Sequence, residues 1–236
     1  MIQEEFDFDI SKLQNPLLVN KPLPNITELY NTRAKQSWKD RRLDMLCQLH
    51  DLCITCSMCP LGEKPCEEKD TVFDPHVFSN MKPSKWMVVG QWPKYYDCLL
   101  HEPFIGDSGK NFEYQLKVNR MSRDDFYICN LVRCHTIGNA SPTFEHKKTC
   151  SPFLRMEIEI LRPKLVITLG AVALSAFRPD VSIGDVVGKI IRSDIYGVKV
   201  FPIYHPSPRN LISKERSDSF KKCMRLLCKL IKQTKV

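Results

Sequence analysis

The sequence predicts a three-layer αβα fold around a central, mainly parallel four-stranded sheet. Short apolar runs at Trp86–Val89, Phe126–Cys129, Leu165–Leu169 and Val198–Tyr204 alternate with longer amphipathic stretches. Strands that are apolar on both faces and separated by helices indicate a parallel sheet covered on both sides. The length of 236 residues, with 43% hydrophobic and 26% charged residues, suits one compact domain plus a short arm.

Taken in order, residues 1–24 contain Pro16, Pro22 and Pro24 without helical or strand period, and read as an N-terminal arm. A single domain is expected over 25–236. Leu29, Tyr30, Trp38, Leu43, Leu46 and Leu49 recur at mostly helical spacing, which predicts one broken or two short helices. Residues 53–84, with Cys53, Cys56, Cys59 and Cys66 among prolines, are too irregular for a regular element. Between and after the strands, helices are expected over 108–118, 143–161, 171–178 and 214–232. Gly184, Gly188 and Gly197 flank a β-rich stretch that suggests a small hairpin feeding the last strand. In such folds ligands bind outside the carboxyl ends of the strands. Those loops read GQWP, NLVRC, GA and HPSPRN.

Composition excludes several classes. The opening MIQEEFDFDI is acidic where a secretory peptide is basic, and no run of about 18 apolar residues occurs. An intracellular protein that is neither secreted nor membrane-spanning is therefore expected. In a reducing compartment the eleven cysteines are free or metal-bound rather than paired. The net charge of +8 favours polyanions only weakly, and its concentration in the basic C-terminal stretch has a solvated helix face as its simplest account.

The strongest spacing signal is Cys56-x-x-Cys59, followed by Cys134 and Cys150. Two thiolates two residues apart grip one centre, and two more from a distant loop and helix close a four-thiolate site. Zinc and a cubane iron–sulfur cluster both fit, and counting leaves Cys53 and Cys66 as alternative ligands.

The ordered motifs resemble the iron–sulfur uracil-DNA glycosylases of families 4 and 5. They run from Cys56-Ser-Met-Cys59-Pro-Leu through the G-x-x-P turn at Gly90 to Pro103-Phe104-Ile105-Gly106 and Asn130-Leu131-Val132-Arg133-Cys134. Gly138-Asn139, Pro142-Thr143, Cys150, LRPKLVITLGAVA and Tyr204-His205-Pro206-Ser207 follow. The likeness covers residues 50 to 215, and the spacing from Gly90 to Phe104 is that of family 4. It implies that Cys56, Cys59, Cys134 and Cys150 ligate a mainly structural [4Fe–4S] cluster, with zinc as the alternative.

An enzyme acting on a base must take it out of the stack and hold it between an aromatic face and hydrogen-bonding groups. Phe104 supplies the face. Asn130, just past a strand end, offers the donor and acceptor that match uracil O4 and N3–H and mismatch cytosine; capping the next turn is its ordinary alternative. His205, stiffened between Tyr204 and two prolines, stands where the resemblance assigns stabilisation of the departing uracil. Gly90 and the Gln91 backbone would assist from the first turn.

Water must then capture the sugar cation. Gln91, Trp92 and Lys94 depart from the family 4 turn, whereas Gly106-Asp107-Ser108-Gly109 resembles family 5, whose aspartate at that place activates water. Asp107 is therefore the first choice and Asp97 the second, with a helix N-cap as the plain role of either. Trp92 in this loop would narrow the pocket or add stacking area. Ser207 and Arg209 resemble a loop that enters the minor groove, with Leu211 as an apolar wedge two residues on. Lys110, Arg133 and Lys214 are candidate phosphate contacts.

These readings converge on a monofunctional repair glycosylase that hydrolyses the N-glycosidic bond of uracil in single- or double-stranded DNA. A monomer is expected, with the arm available to a replication or repair partner. The rival readings are a glycosylase for another deaminated or modified base, and an inactive DNA-binding or replication accessory protein on the same fold.

Overall fold

The computed structural model describes residues 38–234. The expected arm, and the helical turns expected over 26–37, lie outside the described residues. Helix α1 (Trp38–Ile54) buries Leu46, Leu49 and Cys53 along one face and packs on the long helix α5 (Phe144–Leu161).

The cysteine-rich stretch is more regular than expected. It holds a short helix α2 (Pro60–Glu63) and an antiparallel hairpin of β1 (Cys66–Glu68) and β2 (Thr71–Phe73). The hairpin turns through Lys69 and Asp70, at φ 55° and 57°. A two-residue turn with both φ positive usually advertises itself by Asn or Gly; here a lysine takes the first place, so the usual signal is missing.

The central sheet has five strands where four were expected. Strands β3 (Trp86–Gly90), β4 (Tyr127–Asn130), β5 (Leu165–Leu169) and β7 (Lys199–Ile203) are parallel, and β6 (Ile191–Arg192) adds an antiparallel edge to β7. The extra strand is the first arm of the expected hairpin, too short for an apolar run to reveal. The order is β4-β3-β5-β7-β6. From β3 the chain goes to one side to make β4 and to the other to make β5, so the direction of winding reverses at β3 and β5. That switch point is where an open α/β sheet leaves a crevice between its loops.

Two apolar clusters cover the sheet. One joins Met87, Val89, Tyr127 and Val166 to α1 and α5. The other joins Val88, Ile128, Ile167 and Phe201 to α4 (Asp107–Val118) and α9 (Lys214–Thr234). Alternate residues of one strand therefore serve opposite faces, as the pleat requires. Short helices α3 (Tyr95–Leu99), α6 (Ala171–Leu174), α7 (Ile183–Val186) and α8 (Pro208–Leu211) complete the described chain. Helix α3 was not foreseen, and α6 ends four residues before its expected limit.

Candidate active site

Beside the switch point, on the β4 side of β3, the register puts Gly90, the last residue of β3, opposite Asn130, the last of β4. Leu131 N–H donates to Gly90 O and Val132 N–H to Gln91 O, both at 3.0 Å, extending the pairing into the loops. Phe104 closes the space above. A methyl group built on Gly90 would lie 2.0 Å from Phe104 Cε2 and 2.4 Å from Asn130 Oδ1, so only glycine allows the three to converge. Asn130 is fully buried, and neither its Oδ1 nor its Nδ2 has a hydrogen-bond partner among the described residues. Leaving such an amide unmade costs about 1–3 kcal/mol per polar group.

Phe104 has φ 62°, a left-handed conformation that costs a non-glycine residue about 1–2 kcal/mol. Its ring centroid lies 6.0 Å from that of His205, tilted by 44°. His205 follows β7 and receives a hydrogen bond at Nδ1 from the Ser207 N–H at 3.2 Å. With Nδ1 accepting, the proton of the neutral ring sits on Nε2, which is then a donor. Burial, aided by the charge of Lys94, lowers the His205 pKa to about 4, so the ring is neutral at physiological pH. The loop is braced from α4 by Asn111 Nδ2, which donates to Pro206 O at 2.9 Å.

Gly170, after β5, completes this wall. At φ 90° it accepts a conformation open chiefly to glycine, and a methyl there would lie 2.8 Å from Gln91 Nε2 and 2.9 Å from His205 Cβ. Gln91 and His205 thus meet across a residue without a side chain. Trp92 departs from its expected place in the loop: it is buried in the apolar cluster on the α1 and α5 face, with Lys94 Nζ 4.0 Å above its ring.

The two candidate carboxylates differ. Asp107 is the first residue of α4, with Gly106 rather than Asp107 as the N-cap; its side chain is 76% exposed and lies 3.7 Å from Lys110 Nζ. Asp97 is buried, and its oxygens accept from the backbone N–H groups of Lys94 and Ile105, both at 2.9 Å. Burial pushes its carboxyl up while the amides pull it down. Engaged in this way, Asp97 braces the backbone on both sides of the turn.

In the HPSPRN loop, Ser207 caps α8 by accepting from Asn210 N–H at 3.4 Å, and Arg209 is exposed. Leu211 packs against the α4 and α9 cluster, whereas Ile212 is 83% exposed. Arg133 cannot reach a phosphate. It is buried, ion-paired with buried Glu157, and donates to Phe78 O at 2.7 Å, while Tyr127 Oη donates to Glu157 at 2.6 Å.

The thiols of Cys53, Cys56, Cys59 and Cys150 lie near enough to Cys134 for a charge on each to raise the cost of ionising it. Cys56 follows α1, Cys59 precedes α2, Cys134 follows β4, and Cys150 lies in α5. Among the described residues, no three His, Cys, Asp or Glu side chains close around a single-ion position. Cys66 packs instead with Phe73, Val77 and Cys98, which removes it as a ligand. Neighbouring thiols, with Cys53, Cys134 and Cys150 buried and Cys56 and Cys59 partly so, fit a cationic multi-thiolate centre, since ionising the buried ones without it is unfavourable.

Arg123 stands in none of the motifs above. Gly170 and Gly109 do, in the GA loop and in Gly106-Asp107-Ser108-Gly109, but nothing in their spacing shows the close contacts they permit with Gln91, His205 and Phe104.

Residues 76–228 match the family model described as the uracil DNA glycosylase superfamily. The chain is 39% identical over 121 residues to the type-4 uracil-DNA glycosylase of Thermotoga maritima, covering 50% of this chain and 62% of that protein. It is 32% identical over 167 residues to the type-4 uracil-DNA glycosylase of Pyrobaculum aerophilum, covering 68% and 82%. With the type-5 uracil-DNA glycosylase of the latter organism it shares 36% over 104 residues, 39% of this chain and 43% of that protein.

Proposed function

The chain belongs to the uracil-DNA glycosylase superfamily, and from that membership we propose that it is a DNA repair glycosylase that hydrolyses the N-glycosidic bond of uracil in DNA and leaves an abasic site. The observation that carries this reading is the buried, unpartnered Asn130 amide beneath Phe104 beside the sheet's switch point. A donor and an acceptor on one rigid plane match one base edge, and a base with the wrong pattern leaves buried polar groups unpaired.

In the proposed mechanism the uracil is flipped out and stacks on Phe104 while Asn130 hydrogen-bonds its edge. His205, neutral with Nε2 protonated, donates to O2 as the glycosidic bond breaks and charge gathers there. Gln91 lies against the same wall. Asp107 orients the water that captures the sugar cation. In the DNA-binding loop, Ser207 and Arg209 serve the backbone, and exposed Ile212 takes the wedge role in place of Leu211.

Cys56, Cys59, Cys134 and Cys150 hold the metal centre in this reading, a [4Fe–4S] cluster in preference to zinc, with Cys53 as a neighbour in the core. When bound it supplies a structural tie. The cluster predicts brown protein containing iron; zinc predicts colourless protein. The reading also includes a monomer and a single domain over 25–236, with residues 1–24 free to engage a partner.

The test is abasic-site formation on end-labelled oligonucleotides carrying one uracil, single-stranded or opposite guanine or adenine. Alkali-dependent cleavage at uracil is expected, lost in Asn130→Ala and slowed in Asp107→Ala. Folded wild-type protein that leaves uracil intact overturns the reading. A panel of other deaminated bases then separates altered base choice from an inactive binding protein.

A further inference from the structure

Two charged residues grip the turn that carries Phe104. Asp97, at α3, accepts from the Ile105 N–H at 2.9 Å, and its own backbone carbonyl accepts from the Glu102 N–H at 2.9 Å. From the other side Arg123 donates through Nη1 to Phe104 O at 3.1 Å and through Nη2 to Pro103 O. The guanidinium is itself fixed, with Nε 3.0 Å from Glu102 Oε1 and Nη1 3.3 Å from Glu113 Oε1. Gly109 leaves room for this arrangement, since a methyl there would lie 1.7 Å from Phe104 O.

We propose that Asp97 and Arg123 are positioning residues that clamp the Phe104 turn from opposite sides and so set the aromatic wall above Asn130. The amide facing the carboxylate and the carbonyls facing the guanidinium orient the backbone dipoles of residues 103–105. Rotating either peptide would turn a carbonyl toward Asp97 or an N–H toward Arg123, which both charges oppose. This explains how the left-handed φ of Phe104 persists with no glycine at that position: the surroundings over-determine it. It also explains why an arginine is used. A forked donor spans two successive carbonyls, whereas the point charge of a lysine reaches one. A ring held this way is ready before the base arrives, which lowers the cost of ordering on binding.

The inference rests on the pocket reading above, and its test has two arms on the full chain. The first needs no activity. Backbone amide exchange at Ile105 is compared in wild type, Asp97→Asn and Arg123→Lys, with Val88 in the central strand as reference. A rise of about 10-fold or more at Ile105 with Val88 unchanged is expected for local opening. No rise at Ile105, or an equal rise at both sites, overturns the clamp, the latter showing only a general loss of stability.

The second arm asks whether the clamp acts through Phe104. On a uracil oligonucleotide, Arg123→Lys and Asp97→Asn should each lower kcat/KM by up to about 100-fold, with binding of uracil-free DNA unchanged. In a Phe104→Ala background the same substitutions should cost almost nothing more, because the group they position is gone. Losses that add in full to that of Phe104→Ala overturn the proposal. Wild-type protein that releases no uracil would count against the glycosylase reading alone, and the exchange arm would still decide the clamp.

Discussion

In the proposed reading, function and stability pull in opposite directions at Asn130. Its two amide atoms are buried without partners among the described residues, so Asn130→Ala removes an unfavourable group as well as a little packing. We expect an unfolding midpoint equal to or above wild type together with a loss of uracil release of at least about 100-fold; thermal melts and single-turnover rates check the pair. His205 makes a second residue-scale prediction. Its pKa falls from 6.5 to about 4, so in that window the unfolded chain binds more protons than the folded one. Stability contributed by the neutral ring is complete above pH 6.5 and is lost as pH falls through about 4. The acid limb of kcat/KM should likewise fall near pH 4, and His205→Gln should flatten the stability slope between 4 and 6.5. Phe104, Asn130 and His205 were singled out because they stand at a turn, at a strand end and after a strand, beside turn residues. Asp97 was visible as a carboxylate, but not as a brace, because its partner Ile105 lies beyond the end of its helix.

Helix α4 illustrates how an element can be placed correctly while its tightest constraint stays hidden. Its span, Asp107–Val118, begins one residue before the 108–118 expected, yet nothing in the sequence shows that Gly109 touches Phe104 O. Alanine for glycine in a helix ordinarily stabilises by about 0.5–1 kcal/mol. At Gly109 the sign should reverse, because the methyl must displace a backbone carbonyl; melts and uracil-release rates of Gly109→Ala should both fall. Helix α5 and β4 are joined by the Arg133–Glu157–Tyr127 network. Glu157→Ala should cost about 3–5 kcal/mol by denaturant unfolding, since it strands a buried guanidinium. Tyr127→Phe, which removes one neutral donor to a charged acceptor, should cost about 1.5–3 kcal/mol. The same network explains why Arg133 misled as a phosphate contact: its motif stands in a ligand loop, but the partner carboxylate is twenty-four residues away. The β1–β2 hairpin was missed for a different reason, its strands being only three residues each, too short for alternation to register; two-residue β6 was foreseen only as an arm of the hairpin leading into β7.

Across the whole molecule, the thiol group and the pocket sit on one sheet but are supported differently. In the proposed centre, Cys56, Cys59, Cys134 and Cys150 would tie the end of α1, the start of α2, the exit of β4 and the body of α5, pieces on the α1 and α5 face. Phe104 packs instead with the α4 and α9 cluster, and Asn130 is aligned with Gly90 by sheet pairing. A centre that closes long loops stabilises by holding separated pieces together. Cys150→Ser should therefore bleach the protein, lower its iron content and reduce the unfolding midpoint by many degrees, most of the loss being on the α1 and α5 side. Uracil release per folded molecule, measured well below that midpoint, should stay within about 10-fold of wild type, a change of about 1.4 kcal/mol in barrier. The opposite pattern, an unchanged midpoint with release abolished, would place the centre in the chemistry and separate Asn130 from the sheet as its main support.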